Sequence, residues 1–402
     1  MYMPSKFMNQ MISSAQIGVF CESNRNGDQV IIAKLPTSTI KAINFGAKIE
    51  FYIITTSKTP HYLALCMRIF DNESSPMDAI LAQKWQNSNN IFNSSFLNTE
   101  LDLVLFDETD APTLKGKIKL KTNFRNKRVH NILNNFQFIS ADNYDSCNNF
   151  IDSACANLGH NYKAHPKYPI VSFKIATVLT KLKSILTIHG NEQGSTHYDL
   201  INDIDGIRQE RQIYQSLCLM DNSSTTLSPL VQIGKKEREL TDILTITNDS
   251  EIIAFESKSL EFNESTILKS YERITSNIIK HCNKALKQLE GVFKAIQREE
   301  RVYDDKNNTL LFNGNYTFYG IVIIDEYRLS NNWDNILFTL NKISEEHHIC
   351  LNILTLSEML YTLKLCKSDI QLFVKSLEKR HRACINNNSI NIQFMDGTLP
   401  NI

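Results

Sequence analysis

The sequence predicts an α/β protein in two parts: a C-terminal mixed sheet flanked by helices, preceded by a β-rich (α+β) domain. Three observations lead there. Short alternating apolar runs, separated by turn residues, fill most of the stretch from residue 17 to 138. From residue 199 a helix and a β-hairpin are followed by strands that alternate with helix-period segments. The 402 residues, 42% hydrophobic and 21% charged, also suffice for more than one core. Together they place a β-rich recognition or interaction domain at 1–165, a helical linker at 166–198 and a second domain at 199–402.

In the first part, alternation predicts strands over 29–35, 48–55, 61–70 and 101–106, with one amphipathic helix at 77–85. After His165-Pro166 and Tyr168-Pro169 the period changes. Ile175, Val178, Leu179, Leu182, Ile185 and Leu186 follow helical spacing, and residues 189–197, with Gly190, Gly194 and Ser195, read as a loop. The second part then reads helix 199–220, strand 230–233, hairpin strands 239–247 and 251–258, and a long helix 265–301. A strand 319–324, a helix 333–345, a strand 350–355 and closing helices to about 382 complete it.

The 43 basic residues balance the 43 acidic ones, which excludes a basic nucleic-acid coat and an acidic tail protein. Nine cysteines lie far apart with no CxxC pair, so neither a disulfide framework nor a zinc ribbon is expected. The closest metal-like spacing, His347-His348-x-Cys350, runs into an apolar segment that reads as a buried strand. The N-terminus lacks an apolar core of signal-peptide length and no stretch approaches a membrane span, so a cytoplasmic protein without a membrane partner is expected.

Charges stand out in the hairpin. On its first strand Leu240, Asp242, Leu244 and Ile246 share a face, and on its second Ile252, Ala254, Glu256 and Lys258 do. The turn Asn248-Asp249-Ser250 makes the two rows neighbours. Unpaired buried ions cost several kcal/mol each, so two acids beside one amine call for a further cation such as a divalent metal. The plain alternative is an ion pair of Lys258 that fixes the hairpin register.

The preceding helix adds a third acid. Ile207, Glu210, Tyr214 and Leu217 form one stripe, which turns Glu210 toward the sheet; pairing with Arg208 or Arg211 is the alternative. Glu239 has the wrong strand parity for the same task. On the long helix, Asn277, His281, Lys284 and Gln288 run beside the core stripe, where Lys284 and Gln288 can reach the rim of the acids or form a solvated flank.

The order of these residues resembles the PD-(D/E)XK nuclease superfamily, the restriction-endonuclease-like fold. A helix with Glu210, Asp242 on a strand, Glu256-Ser257-Lys258 on the next and a helix with Gln288 carry the resemblance, over about 199–380. Thr241 stands where the name-giving motif has Pro. The resemblance implies that Asp242, Glu256 and the main-chain carbonyl of Ser257 bind Mg²⁺, with Mn²⁺ able to substitute, and that Lys258 orients or helps deprotonate the attacking water. Glu210 would hold a metal-bound water and Gln288 would complete the catalytic set. The implied reaction is DNA phosphodiester hydrolysis leaving a 5′-phosphate and a 3′-hydroxyl, with RNA as a further candidate substrate. Proteins of this build look like bacterial restriction or anti-phage defence factors. A non-catalytic nucleic-acid or protein binding module that keeps the fold is the alternative.

A neutral protein that cuts a polyanion needs local positive ground. Lys115, Lys117, Lys119, Lys121, Arg125, Lys127 and Arg128 occur with no acid between them, and the first four alternate on one strand face, with Phe124 nearby. They read either as a nucleic-acid surface, joined by Lys284, or as an edge strand that uses lysines against aggregation. Lys235, Lys236 and Arg238 form a smaller cluster. The N-terminal domain is the expected seat of a protein partner or a homo-oligomer contact.

Overall fold

A computed structural model of the chain describes residues 3–23, 27–84, 92–122, 127–139, 144–180, 182–191, 194–259, 271–312, 315–327 and 333–392. It divides into two compact units, Met1–Leu186 and Thr187–Ile402. The break falls inside the stretch predicted as a helical linker, but the described residues before it are strands of the first unit.

The first unit holds β1 (Gly18–Ser23), β2 (Gln29–Lys34), β3 (Ile49–Thr56), β4 (Leu63–Ile69), β5 (Met77–Ala82), β6 (Glu100–Phe106), β7 (Pro112–Lys121), β8 (Ile170–Leu179) and β9 (Lys183–Ser184). Its helices are α1 (Lys6–Ser14), α2 (Thr37–Asn44), α3 (Lys127–Asn135) and α4 (Tyr144–Asn157). The strands form one sheet in the order β1-β2-β6-β7-β8-β3-β4-β5, with β9 on β7. It curls until Leu81 of β5 packs with Phe20 of β1 and with Met8 and Ile12 of α1. Helix α4 covers Ile54, Ala64, Cys66 and Ala82.

Two helix expectations fail here for a common reason. Residues 77–82 and 170–179 are strands whose outer face is partly covered, so buried side chains do not alternate cleanly and a short helical period arises by chance. Strand β8 pairs with both β7 and β3.

The second unit begins with the hairpin β10 (Thr187–Asn191) and β11 (Gly194–Tyr198), in place of the predicted loop. Then come α5 (Asp205–Leu217), β12 (Ser223–Leu227), β13 (Leu230–Ile233), β14 (Lys236–Glu239), β15 (Ile243–Thr247), β16 (Glu251–Lys258), α6 (Tyr271–Gln297), β17 (Arg301–Tyr303) and β18 (Thr309–Leu310). β19 (Thr317–Ile324), α7 (Asp334–His347), β20 (Cys350–Thr355), α8 (Leu356–Cys366) and α9 (Ile370–Asn387) follow. The start of the long predicted helix, 265–270, lies outside the described residues.

The main sheet runs β12-β15-β16-β19-β20; β16, β19 and β20 are parallel and the first two pairings antiparallel. Helices α6 and α7 pack on one face through Leu244, Ile252, Ala254, Val322 and Leu351. Helices α5, α8 and α9 pack on the other through Ile243, Ile253, Phe255, Ile321 and Ile323. This three-layer arrangement is the mixed α/β sheet that the strand and helix order predicts. Gly320 permits the close approach of the layers: a Cβ there would stand 2.5 Å from Leu351 Cδ2 and 3.2 Å from Leu289 Cδ1.

Residues 239–247 are not one strand. Strand β14 turns back at Gly234, whose φ is +62°, and pairs with β13 in a separate small sheet. The main sheet resumes only at Ile243. Behind it, Arg380 of α9 is fully buried and donates to Glu358 Oε1 at 2.9 Å, to the Tyr327 hydroxyl at 2.7 Å and to the Ile390 carbonyl at 2.8 Å, tying α8, α9 and the chain after β19 together.

Candidate functional site

The hairpin does bring the three predicted charges together. The pairing Ile243↔Phe255 is the last rung of the ladder between β15 and β16. One step further, backbone pairing gives way to side chains: the Thr241 hydroxyl donates to the Phe255 carbonyl at 2.7 Å, and the Ser257 N–H donates to Asp242 Oδ2 at 2.6 Å. The strand end thus satisfies its own polar backbone while it fixes a carboxylate. Lys258 Nζ lies 2.7 Å from Glu256 Oε2 and 3.6 Å from Asp242 Oδ2.

Exposure differs sharply within this trio. The Glu256 side chain is 1% exposed, whereas Asp242 and Lys258 keep 16% and 15%, so the pocket opens on their side. Burial, reinforced by the Asp242 charge and opposed by Lys258, pushes the Glu256 carboxyl above the usual carboxylate range. For Lys258, burial disfavours the ammonium, but Glu256 and Asp242 outweigh it and hold its pKa above the ordinary value.

Glu210 belongs to the same electrostatic group. Burial, then the charges of Asp242 and Glu239, push it up to about 7 against the pull of Lys258. The helix that carries it is rotated relative to the predicted stripe, however. Ile207 is 47% exposed, and the buried face of α5 runs through Asp205, Arg208, Gln209, Gln212, Ile213, Ser216 and Leu217. Arg208 is not a partner of Glu210; it bonds Gln212 and Asp205. Polar residues occupy most of the buried face, which is why a count of apolar positions misplaced it. The residue that touches the site from this helix is Gln209, whose Oε1 accepts a 2.6 Å hydrogen bond from the Ser257 hydroxyl.

Lys284 is exposed and Gln288 half-buried, its Oε1 without a hydrogen-bond partner among the described residues. Neither bonds the acids. The residues of α6 that sense the Lys258 charge are His281 and Cys282, one turn earlier.

The donor set suits a hard cation. Asp242 Oδ2 accepts from the Ser257 N–H and Glu256 Oε2 from Lys258, and the Ser257 carbonyl follows Glu256 directly in sequence. Glu210 does not join them as a direct third donor. Among the described residues the only His, Cys, Asp and Glu trio with donor atoms within 4.8 Å of one another is Glu290, Glu346 and His347. There Glu290 Oε1 already accepts from Lys294 and, at 3.3 Å, from His347, which makes that trio an ion-pair cluster between α6 and α7.

In the first unit, Lys115, Lys117, Lys119 and Lys121 share one face of β7 as predicted, with Leu114, Ile118 and Leu120 buried on the other. β7 is not an edge strand: β6 and β8 flank it, so edge protection does not explain the lysines. The fold also sets acids across from them, Asp102 pairing with Lys117 at 2.6 Å and Glu100 opposite Lys119. Lys127 and Arg128 are exposed at the start of α3, the Arg128 guanidinium standing 5.5 Å from the centre of the Phe173 ring. Arg125 and Phe124 lie outside the described residues. Lys236 and Arg238 are exposed on β14. All nine cysteines are free thiols, and no helix among the described residues is long and apolar enough to cross a membrane.

The chain matches no family model, no curated protein and no solved structure.

Proposed function

We propose that the chain is a metal-dependent nuclease that hydrolyses DNA phosphodiester bonds with Mg²⁺, for which Mn²⁺ can substitute. The charge balance of the pocket supports this reading. Asp242 and Glu256 both lie against the single ammonium of Lys258, a surplus of negative charge, and burial, with the charges of Asp242 and Glu239, pushes Glu210 up to about 7. One divalent ion neutralises that surplus.

Asp242, Glu256 and the Ser257 carbonyl would hold the ion, which supplies Lewis-acid stabilisation of phosphoryl charge and a more acidic water. Lys258 enters as an ammonium because its acids hold its pKa up. As an ammonium it would donate hydrogen bonds that orient the incoming water or a phosphate oxygen. Glu210 would accept from a water at the edge of the site. Water attacks phosphorus and gives up a proton to solvent, the P–O3′ bond breaks, and the departing oxygen takes a proton from solvent. Lys115, Lys119 and Lys121 are the proposed nucleic-acid contacts of the first unit. A role in restriction or anti-phage defence is proposed on analogy of build alone.

The decisive experiment incubates the purified chain with linear, circular and single-stranded DNA in Mg²⁺ and in EDTA, beside Asp242→Ala, Glu256→Ala and Lys258→Ala. Cleavage in Mg²⁺ only, lost in each variant, is expected. No cleavage of any substrate by the parent chain, with DNA still bound, leaves a binding module.

A further inference from the structure

We infer that Gln209 is a positioning residue for the acid pair, acting through Ser257. The inference rests on the proposed metal role of Asp242 and Glu256. Side chains alternate along β16, so Glu256 and Lys258 turn to the α6 face while Ser257 turns to α5. Ser257 is thus held from two sides, its N–H by Asp242 Oδ2 at 2.6 Å and its hydroxyl by Gln209 Oε1 at 2.6 Å.

Gln209 can serve as a fixed point. It is 2% exposed and lies one helical turn from Ile213 and two from Leu217, both fully buried against the sheet. Ser257 itself is 8% exposed. A lateral movement of Ser257 carries its N–H, and with it the Asp242 carboxylate, relative to Glu256. Two hydrogen bonds in series therefore link the helix position to the gap between the acids.

The placement of polar residues on α5 supports the same view. Buried polar side chains are costly unless bonded, and the buried face of α5 carries Asp205, Arg208, Gln209, Gln212 and Ser216 beside Ile213 and Leu217. Gln209 uses its oxygen on the one residue whose N–H holds Asp242. Groups that orient metal ligands in this way typically change metal affinity 10- to 100-fold when removed.

The test follows Mn²⁺ binding through the metal-dependent rise in melting temperature of the full chain, with DNA cleavage as a second readout. In Gln209→Leu the half-saturating Mn²⁺ concentration should rise about tenfold. Ser257→Ala should match it, and the double variant should be no worse than either single one. Where Gln209→Leu fails to fold, Ser257→Ala removes the same bond with loss of one oxygen atom. A lower melting temperature in EDTA with unchanged half-saturating Mn²⁺, or single effects that multiply in the double variant, would overturn the positioning role alone. Absence of any Mn²⁺ effect in the parent chain overturns the metal reading and this inference with it.

Discussion

Lys258 Nζ stands 2.7 Å from Glu256 Oε2, joining two residues of one strand in a pair whose acid member is 1% exposed. Removing one partner of such a pair leaves the other buried without compensation. Lys258→Met is expected to cost about 3 kcal/mol in EDTA, while adding Glu256→Gln to it should recover part of the loss. Denaturant unfolding of the parent and the two variants decides; a Lys258→Met variant as stable as the parent would mean that the ammonium contributes nothing to the fold.

The pH dependence has a definite sign. The Glu210 carboxyl titrates at about 7 in the folded chain against an ordinary value of 4.5, so the folded state binds this proton more tightly. Its stabilising contribution is complete below 4.5 and is lost as pH rises through about 7. In EDTA the melting temperature should fall across that window, and Glu210→Gln should lessen the slope, with Glu256, also pushed up to about 7, supplying the rest. With saturating Mn²⁺ the fall should vanish, because the cation replaces the proton as the counter-charge.

Gly320→Ala tests the layer spacing. The added methyl meets Leu351 and Leu289 at 2.5 and 3.2 Å, from strand β20 and helix α6. Overpacking of this kind should destabilise the second unit by about 1–3 kcal/mol. A melting temperature within error of the parent would show that α6 slides freely.

The lysine face of β7 predicts a graded salt response. Lys117 is matched by Asp102, so Lys117→Ala should change DNA binding little. The triple variant Lys115→Ala, Lys119→Ala, Lys121→Ala should weaken it and reduce the salt slope by about 0.7–0.9 per lost phosphate contact. Filter binding across a salt series reads both. A slope that does not change in the triple variant excludes this face as a nucleic-acid contact.

The sequence showed most of the second unit because its signals were strong and local. The hairpin of β15 and β16, the apolar runs of β19 and β20 and the period of α6 each exceed what chance supplies. Asp242, Glu256 and Lys258 were visible because charge in an apolar row contradicts the burial of its neighbours. Gln209 was not visible, because its burial shows only as an i, i+4 row with Ile213 and Leu217, in which the polar member looks like a surface residue. The first unit hid β5 and β8 for a related reason. Its sheet is covered by helices in part, so its strands have no single pattern of inside and outside.

β16 is paired with β19 over Glu251–Lys258 on one side and with β15 over Ile252–Phe255 on the other. The backbone of Glu256 is held on its β19 side, and amide hydrogen exchange at residues 254–256 should approach the slowest rate in the unit. Because the Glu256 side chain is 1% exposed and those of Asp242 and Lys258 are 16% and 15% exposed, protons and cations share a way in past those two side chains.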